Sequence, residues 1–229
     1  MADSRPRVKA VVFDIGATLV TGPPVAPNKV IAALMDGVTP AEVASVIMTT
    51  NLESAEQVCA ALESRFGKVG ARAVAGIEEL WESQATAPTA LEGASETVCA
   101  LKARRLKIGL LSDIWNPYYA GVEIALPKVV ACADSIVLSC RTGSRKPNAD
   151  NFLQSLAELG VAASEAVMVG DTYEHDILPA LKLGMRAIWV LARPDREADS
   201  IMQILNGEAP PPTLTVPDIA AVASAEMLS

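Results

Sequence analysis

Val8-Lys9-Ala10-Val11-Val12-Phe13-Asp14-Ile15 is the stretch from which the fold can be read. Apart from Lys9 and Asp14 it is apolar and rich in β-branched side chains. Such a run fits a strand buried on both faces, as in a parallel sheet. It ends at Asp14, close to Gly16. In open parallel sheets, sites form beyond the carboxyl ends of the strands. A single carboxylate there is a helix cap as readily as a chemical group, so the rest of the chain has to decide.

Downstream of residue 90, strand-like and helix-like patterns alternate. Lys107 to Ser112 (KIGLLS), Ser135 to Ser139, Ala166 to Gly170 (AVMVG) and Arg186 to Leu191 read as further strands, and Thr213 to Val216 as a short one. Ala94 to Arg105 reads as a helix, as do Ala149 to Leu159 before Gly160 and Ile177 to Leu183 before Gly184; Pro217 is expected to open a last one. Alternation of this kind predicts βαβ units and an α/β fold with a doubly wound parallel sheet. Ala209-Pro210-Pro211-Pro212 reads as a stiff surface connection.

From about Asn28 to Gln84 the pattern becomes helical throughout. Thr39-Pro40 opens one helix, with Thr39 as N-cap and Pro40 at the first position. Asn51 is expected to cap another, with the apolar face Leu52, Ala55, Cys59, Leu62 and Phe66 ending at Gly67. A third covers roughly Ala71 to Ser83. Gly22-Pro23-Pro24 with Pro27 reads as a linker, and Ala87-Pro88-Thr89 marks the return. The expected division is a core built from residues 1–21 and 90–229, with a smaller α-helical cap domain over residues 22–89.

Composition narrows the chemistry. The chain has 229 residues, 51% of them hydrophobic, which is enough to bury a core. Its net charge of -8 gives no electrostatic reason to seek nucleic acid or an anionic membrane. Asp3, Lys9 and Asp14 break up the N-terminal apolar stretch, so no signal peptide is expected. No run approaches the roughly 18 apolar residues of a membrane span, and a cytoplasmic location is the expectation. The four cysteines (Cys59, Cys99, Cys132, Cys140) show no C-x-x-C spacing and read as buried small hydrophobes in a reducing compartment. His175 is the one histidine, which excludes a multi-His zinc site; no G-x-S-x-G elbow is present for a Ser-His-Asp mechanism. The chemistry falls to carboxylates, lysine, hydroxyls or a hard metal ion.

Four strand ends offer such groups. Asp14 closes the first strand and Ser112-Asp113 the second; Lys146 lies in the loop after the third; Asp171 follows the fourth, with Asp176 five residues on. Two carboxylates and backbone oxygens suit Mg²⁺, a lysine and a hydroxyl suit phosphate oxygens, and an aspartate can be a covalent nucleophile at phosphorus.

Four segments, in order, carry a family resemblance. V-V-F-D-I-G-A-T-L (Val11 to Leu19), L-L-S-D (Leu110 to Asp113), G-S-R-K-P-N-A-D-N-F (Gly143 to Phe152) and V-G-D-T-Y-E-H-D-I-L-P-A-L-K-L-G-M (Val169 to Met185) resemble the four motifs of the haloacid dehalogenase superfamily. The helical stretch after the first motif resembles that family's type-1 cap. The resemblance implies a Rossmann-like core and a phosphatase-like hydrolase acting on a small phosphorylated molecule. It implies that Asp14 attacks the substrate and forms an aspartyl intermediate. Ser112, with Thr18 and Asp113 nearby, would bind the phosphoryl group, and Lys146 would offset its charge. Asp171 would hold Mg²⁺ with Asp14 and the backbone carbonyl of Gly16, supported by Asp176.

The match has a gap. Phosphatases of this family usually carry a second aspartate two residues after the nucleophile, which protonates the leaving group and then activates water. Here that position is Gly16, and Ala17 replaces the usual glycine. Three readings stay open. The first is a phosphohydrolase whose leaving group needs no proton, or in which another group such as Glu174 or His175 substitutes. The second is a dehalogenase-type or phosphonatase-type hydrolase, against which stand the retained metal-site aspartates and the lack of a cap lysine signature, Lys29 and Lys68 reading as surface lysines. The third is a non-catalytic, metal-binding relative with a binding or regulatory role. Polar candidates in the helical segment are Asn28, Lys29, Asn51, Arg65 and Arg72; Trp115, Asn116 and Tyr118 follow the second motif and read mainly as packing residues at the edge of a pocket.

Overall fold

A computed structural model of the chain describes residues 6–23 and 25–228. Asp3, and Pro24 of the expected linker, lie outside the described residues. Six strands form one parallel sheet: β1 (Ala10–Phe13), β4 (Lys107–Ser112), β5 (Ser135–Leu138), β6 (Ala166–Gly170), β7 (Arg186–Val190) and β8 (Leu214–Val216), in the order β5-β4-β1-β6-β7-β8. β1 is inside the sheet, with Phe13 level with Leu110 on one side and Val169 on the other. Its apolar run follows from that position, because both of its faces are covered. Val11 and Phe13 join one core with Ile108, Leu110, Val167 and Val169, whereas Ala10 and Val12 join the other with Leu111 and Met168.

The first core is closed by helices α5 (Ala94–Ala103), α6 (Asn116–Ala125) and α7 (Pro127–Cys132), which contribute Val98, Leu101, Val122 and Val129. The second is closed by α9 (Ala149–Leu159) and α10 (Leu178–Lys182), through Phe152, Leu156, Leu159 and Ala180. A parallel strand pair needs a long crossover, and here the crossovers are these helices. α/β class and a doubly wound parallel sheet are therefore what the chain forms.

Between β2 (Val20–Thr21) and β3 (Thr89–Ala90), which pair antiparallel, the chain inserts α1 (Pro27–Ala32), α2 (Pro40–Ile47), α3 (Ala55–Phe66) and α4 (Ala71–Gln84). The two-residue ladder ties the entry of the insertion to its exit. Thr39 caps α2 as its sequence predicts: its hydroxyl accepts from Glu42 N, and Glu42 reaches back to Thr39 N at 2.8 Å.

Several details differ from the sequence expectation. α3 starts after Ser54, whose hydroxyl accepts from Gln57 N, and not after Asn51; Leu52 therefore precedes the helix, and Val58 and Leu62 are its buried face. Asn51 is used elsewhere, accepting from Asn116 Nδ2 at 2.8 Å. Pro217 opens no α-helix. Ile219, Val222, Ala225 and Leu228 are buried at a strict spacing of three, and this matches the 3₁₀ turns found at Ala220–Ser224 and Glu226–Leu228. The helix expected to start at Ile177 is preceded by a π-helical turn, Tyr173–Ile177. Of the cysteines only Cys140 is buried; Cys59, Cys99 and Cys132 are half-buried and free. α1 falls in the stretch read as helical from about Asn28, whereas α6, α7, a short α8 (Ser139–Thr142) and α11 (Ala198–Leu205) were not expected from the sequence.

The insertion is fastened to the core through the start of α6. Asn116 Nδ2 also donates to Leu52 O at 2.7 Å, Trp115 Nε1 donates to Gln84 Oε1 at 3.3 Å, and the Trp81 and Trp115 rings meet edge to face at 5.6 Å. Tyr118 OH donates to Thr21 O at 2.8 Å. Gly121 allows this close approach: a Cβ there would fall 2.6 Å from Pro88 Cδ and 2.8 Å from the carbonyl oxygens of Gln84 and Ala85. Gly121→Val is expected to cost about 1–3 kcal/mol in urea unfolding. A change under about 0.5 kcal/mol, the usual effect of a surface substitution, would show that α4 and α6 do not need this contact.

Candidate active site

Each candidate side chain is delivered by a strand end or the loop after it. Asp14 N donates to Val169 O at 2.9 Å, which prolongs the β1–β6 pairing by one residue and fixes the root of the Asp14 side chain. Ser112 is the last residue of β4 and is buried. Lys146 lies in the loop between α8 and α9, and Asp171 directly follows β6. The π-helical turn folds Asp176 back onto the strand end, where Oδ2 accepts from Thr172 N at 3.1 Å. A Cβ on Gly170 would lie 2.5 Å from Asp176 Cβ and Cγ, so only glycine leaves room for Asp176 there.

Asp14, Lys146, Asp171 and Asp176 meet, and all four are buried. Lys146 Nζ donates to Asp14 Oδ1 and to Asp176 Oδ1, at 2.6 Å each. Thr18 Oγ1 lies 3.3 Å from Asp14 Oδ2 and 3.5 Å from Asp171 Oδ1; its single proton serves one of them at a time. Trp189 Nε1 holds the backbone carbonyl of Asp171 at 3.0 Å. Arg193 Nη2 donates to Asp171 Oδ2.

The charges do not cancel. Burial raises the Asp176 carboxyl, Lys146 draws it down, and Asp14 pushes it up again, leaving it near 7. Burial and then the Asp14 charge raise Asp171, against the pull of Arg193. Burial alone would lower Lys146, but Asp14, Asp176 and Asp113 outweigh it, so the ammonium is held well above its ordinary range. Three buried carboxylates thus share one ammonium and one guanidinium, with room in charge for a further cation. Asp14, Asp171 and Asp176 offer oxygens that lie within 4.8 Å of one another. An all-oxygen set of this kind fits a hard divalent ion such as Mg²⁺. The residues present therefore fit the metal that the resemblance implies.

The remaining expected residues fall as follows. Asp113 lines the cavity, but both its oxygens are engaged: Oδ1 accepts from Lys146 N at 2.9 Å and Oδ2 from Arg145 Nε at 3.2 Å. His175 lines the same cavity, with Nδ1 3.2 Å from Lys146 O, whereas Glu174 is exposed and does not line it. Nothing lies within 4 Å of where a Gly16 side chain would begin. Ala17 sits at φ 60°, a left-handed conformation that costs a residue with a Cβ about 1 kcal/mol. Lys68, Arg65 and Arg72 are exposed and line no cavity at this cluster, and Asn28 is bonded to Pro40 O at 3.0 Å.

Two adjoining cavities open over this cluster. The smaller, about 250 Å³, is lined by Asp14, Gly16, Ser112, Lys146, Asp171 and Asp176, among others. The larger, about 840 Å³, shares Gly16, Ser112, Asp113 and Arg193 with it and runs along Trp115 and Tyr118 to α1 of the insertion. Trp115 and Tyr118 thus pack and line at once; Asn116 bonds the insertion instead. The sequence reading missed Arg193 and Arg145. Arg193 was within reach of the strand-end rule, because it lies three residues after β7. Arg145, next to Lys146, has no signal until Asp113 is known to be near.

The parallel sheet and the carboxylate cluster at its strand ends define a Rossmann-like α/β core with an acidic site. The model of the haloacid dehalogenase-like hydrolases matches residues 8–184. The chain belongs to that family. Its relatives include a glyceraldehyde 3-phosphate phosphatase from Pyrococcus abyssi, 29% identical over 97 residues (42% of this chain and 40% of the relative), and a phosphoserine phosphatase from Thermus thermophilus, 35% identical over 83 residues (32% and 33%). The matched stretch spans two fifths or less of either relative's length. Among solved structures, a haloacid dehalogenase-family phosphatase from Thermococcus onnurineus superposes with a TM-score of 0.58 at 19% identity, and a 2-haloacid dehalogenase from Pseudomonas syringae with 0.62 at 21%; each alignment covers 95% of this chain and 97% of the other. At such identities the likeness speaks for the fold. No helix among the described residues is long and apolar enough to cross a membrane.

Removing Lys146 would leave two buried carboxylates without their shared counter-charge. Lys146→Met is expected to destabilise the chain by about 3–5 kcal/mol, read from urea midpoints at neutral pH. A neutral result would mean that the carboxylates take up protons at little cost.

Proposed function

We propose that this chain is a Mg²⁺-dependent phosphohydrolase acting on a small phosphorylated molecule. One observation carries the reading: a buried lysine bonded at 2.6 Å to both Asp14 and Asp176, beside Asp171. The names of its phosphatase relatives support it. Mg²⁺ would be held by Asp14, the Gly16 carbonyl and Asp171, with Asp176 in support, and would supply charge stabilisation to the phosphoryl oxygens.

The chain's own residues do the rest. A carboxylate oxygen of Asp14 forms the bond to phosphorus while the bond to the leaving oxygen breaks, giving an aspartyl phosphate. Water then hydrolyses that acyl phosphate, releasing phosphate and restoring Asp14. Lys146 fixes the orientation of Asp14 and offsets charge on the phosphoryl group, and Ser112 offers its hydroxyl to the phosphoryl oxygens, whereas Thr18, buried beneath the site, steadies Asp14 or Asp171. Asp113 acts at one remove, by holding the backbone of Lys146. Helices α1–α4 serve as a cap domain over residues 22–89, excluding water from the site. The acidic chain is read as cytoplasmic, with a small-molecule substrate and no nucleic acid or membrane partner.

Gly16 has no side chain that could donate a proton to the leaving oxygen. The leaving oxygen departs with its electron pair and has to be protonated by solvent, so departure favours groups that are stable as anions. Purified chain with Mg²⁺ is expected to hydrolyse aryl and acyl phosphates and to leave sugar phosphates nearly untouched, with Asp14→Asn as the inactive blank. No turnover above that blank would overturn the reading and favour a non-catalytic binding role. The open space at residue 16 admits a side chain, so Gly16→Asp is expected to raise turnover of poor leaving groups by about 10²-fold or more. No gain in a folded variant would show that the missing acid is not the bottleneck.

One observation favours a second reading. Arg193 already occupies an oxygen of Asp171, so a guanidinium can stand where a metal would otherwise supply charge. A dehalogenase-type hydrolase working without metal would release halide in the presence of a chelator, which the phosphatase reading forbids.

A further inference from the structure

The larger cavity carries a charge opposite to that of the chain. The sequence has a net charge of -8, yet the cavity wall holds Lys29, Arg193 and Arg196 against a single carboxylate, Asp113. Asp113 is spent on Arg145 and on the backbone of Lys146. Arg193 is spent on Asp171. Lys29 and Arg196 are different: among the described residues neither side chain makes a hydrogen bond or ion pair, and both are exposed. Lys29 comes from α1 of the insertion and Arg196 from the loop between β7 and α11. Two elements far apart in sequence thus bring an uncommitted cation to one cavity.

The rest of that wall is largely apolar, with Met48, Leu91, Ile114 and Trp115. The cavity, about 840 Å³, is of the size that takes a whole small organic molecule. It meets the smaller, carboxylate-lined cavity at Gly16 and Ser112. A phosphate ester with its phosphoryl group at Asp14 would therefore extend its leaving group into the larger space. Uncommitted cations in a cleft with apolar walls focus the field and draw anions.

Resting on the phosphohydrolase reading, we propose that the preferred substrate carries a second anionic group, a carboxylate or another phosphate, on its leaving group, and that Lys29 and Arg196 select for it. The apolar wall would hold the carbon skeleton between the two charged ends.

Binding can be measured without turnover, using Asp14→Asn chain with Mg²⁺ and calorimetry. The probes are phenyl phosphate, para-carboxyphenyl phosphate and para-phenylene bisphosphate, which share one skeleton. The two doubly charged probes are expected to bind about tenfold more tightly than phenyl phosphate, a difference of about 1.4 kcal/mol. Adding Lys29→Ala and Arg196→Ala should bring that ratio to about one, whereas Lys29→Arg with Arg196→Lys should keep it. A gain for the carboxylate probe alone, or for the bisphosphate alone, would support the proposal and say which anion is read. Equal affinity for all three probes, binding of none, or a preference that survives the double alanine variant would overturn it. Failure of the phosphohydrolase reading would appear separately, as absence of turnover by the unsubstituted chain.

Discussion

Lys146 sits between Asp14 and Asp176, and much of the surrounding structure serves to keep it there. Burying one ammonium against two carboxylates is costly unless the geometry satisfies each of them. Asp14 is set by a strand at the centre of the sheet. Asp176 is set by a π-helical turn and by Gly170, which leaves room for it. The Lys146 loop is set by Asp113, which takes its backbone N–H and the neighbouring Arg145. Three separate crossovers of one sheet thus converge on a single ion-paired group.

The same convergence leaves the site with an excess of negative charge. Burial raises Asp171 and Asp176 because neither has enough positive charge nearby. Arg193 supplies part of what is lacking on the Asp171 side. A divalent ion would supply more, and the oxygen-only set suits one with hard character. Gly16 departs from this economy of charge. It leaves the space of a side chain empty beside the nucleophile, and Ala17 holds a backbone shape that glycine would adopt at less cost.

The insertion answers to different forces. Its helices have their own buried faces, but its position depends on a few polar and aromatic contacts at the start of α6. Asn116, Trp115 and Tyr118 each bond a backbone or side-chain group at or near the insertion. Trp115 and Tyr118 also line the larger cavity, which Lys29 of α1 lines from the insertion side.

Much of this was legible in the chain itself. The apolar run at β1, the alternation after it and the polar group at each strand end follow from local patterning, because a strand covered on both faces needs apolar residues throughout and a site needs polar ones where the cover stops. Asp14, Lys146, Asp171 and Asp176 could be named from that alone together with their motifs. Folding decided the remainder, since it rests on contacts between residues far apart in sequence. Asn51 accepts from Asn116, 65 residues away, and Ser54 caps α3. The last segment looked like an α-helix until its spacing of three met the core. Arg193 on Asp171, Asp113 beneath Lys146, and Lys29 in the same cavity as Arg196 come from loops and helices whose meeting no local pattern encodes. Strand identity is a matter of neighbours along the chain, whereas the charge of a cavity is a sum over neighbours in space.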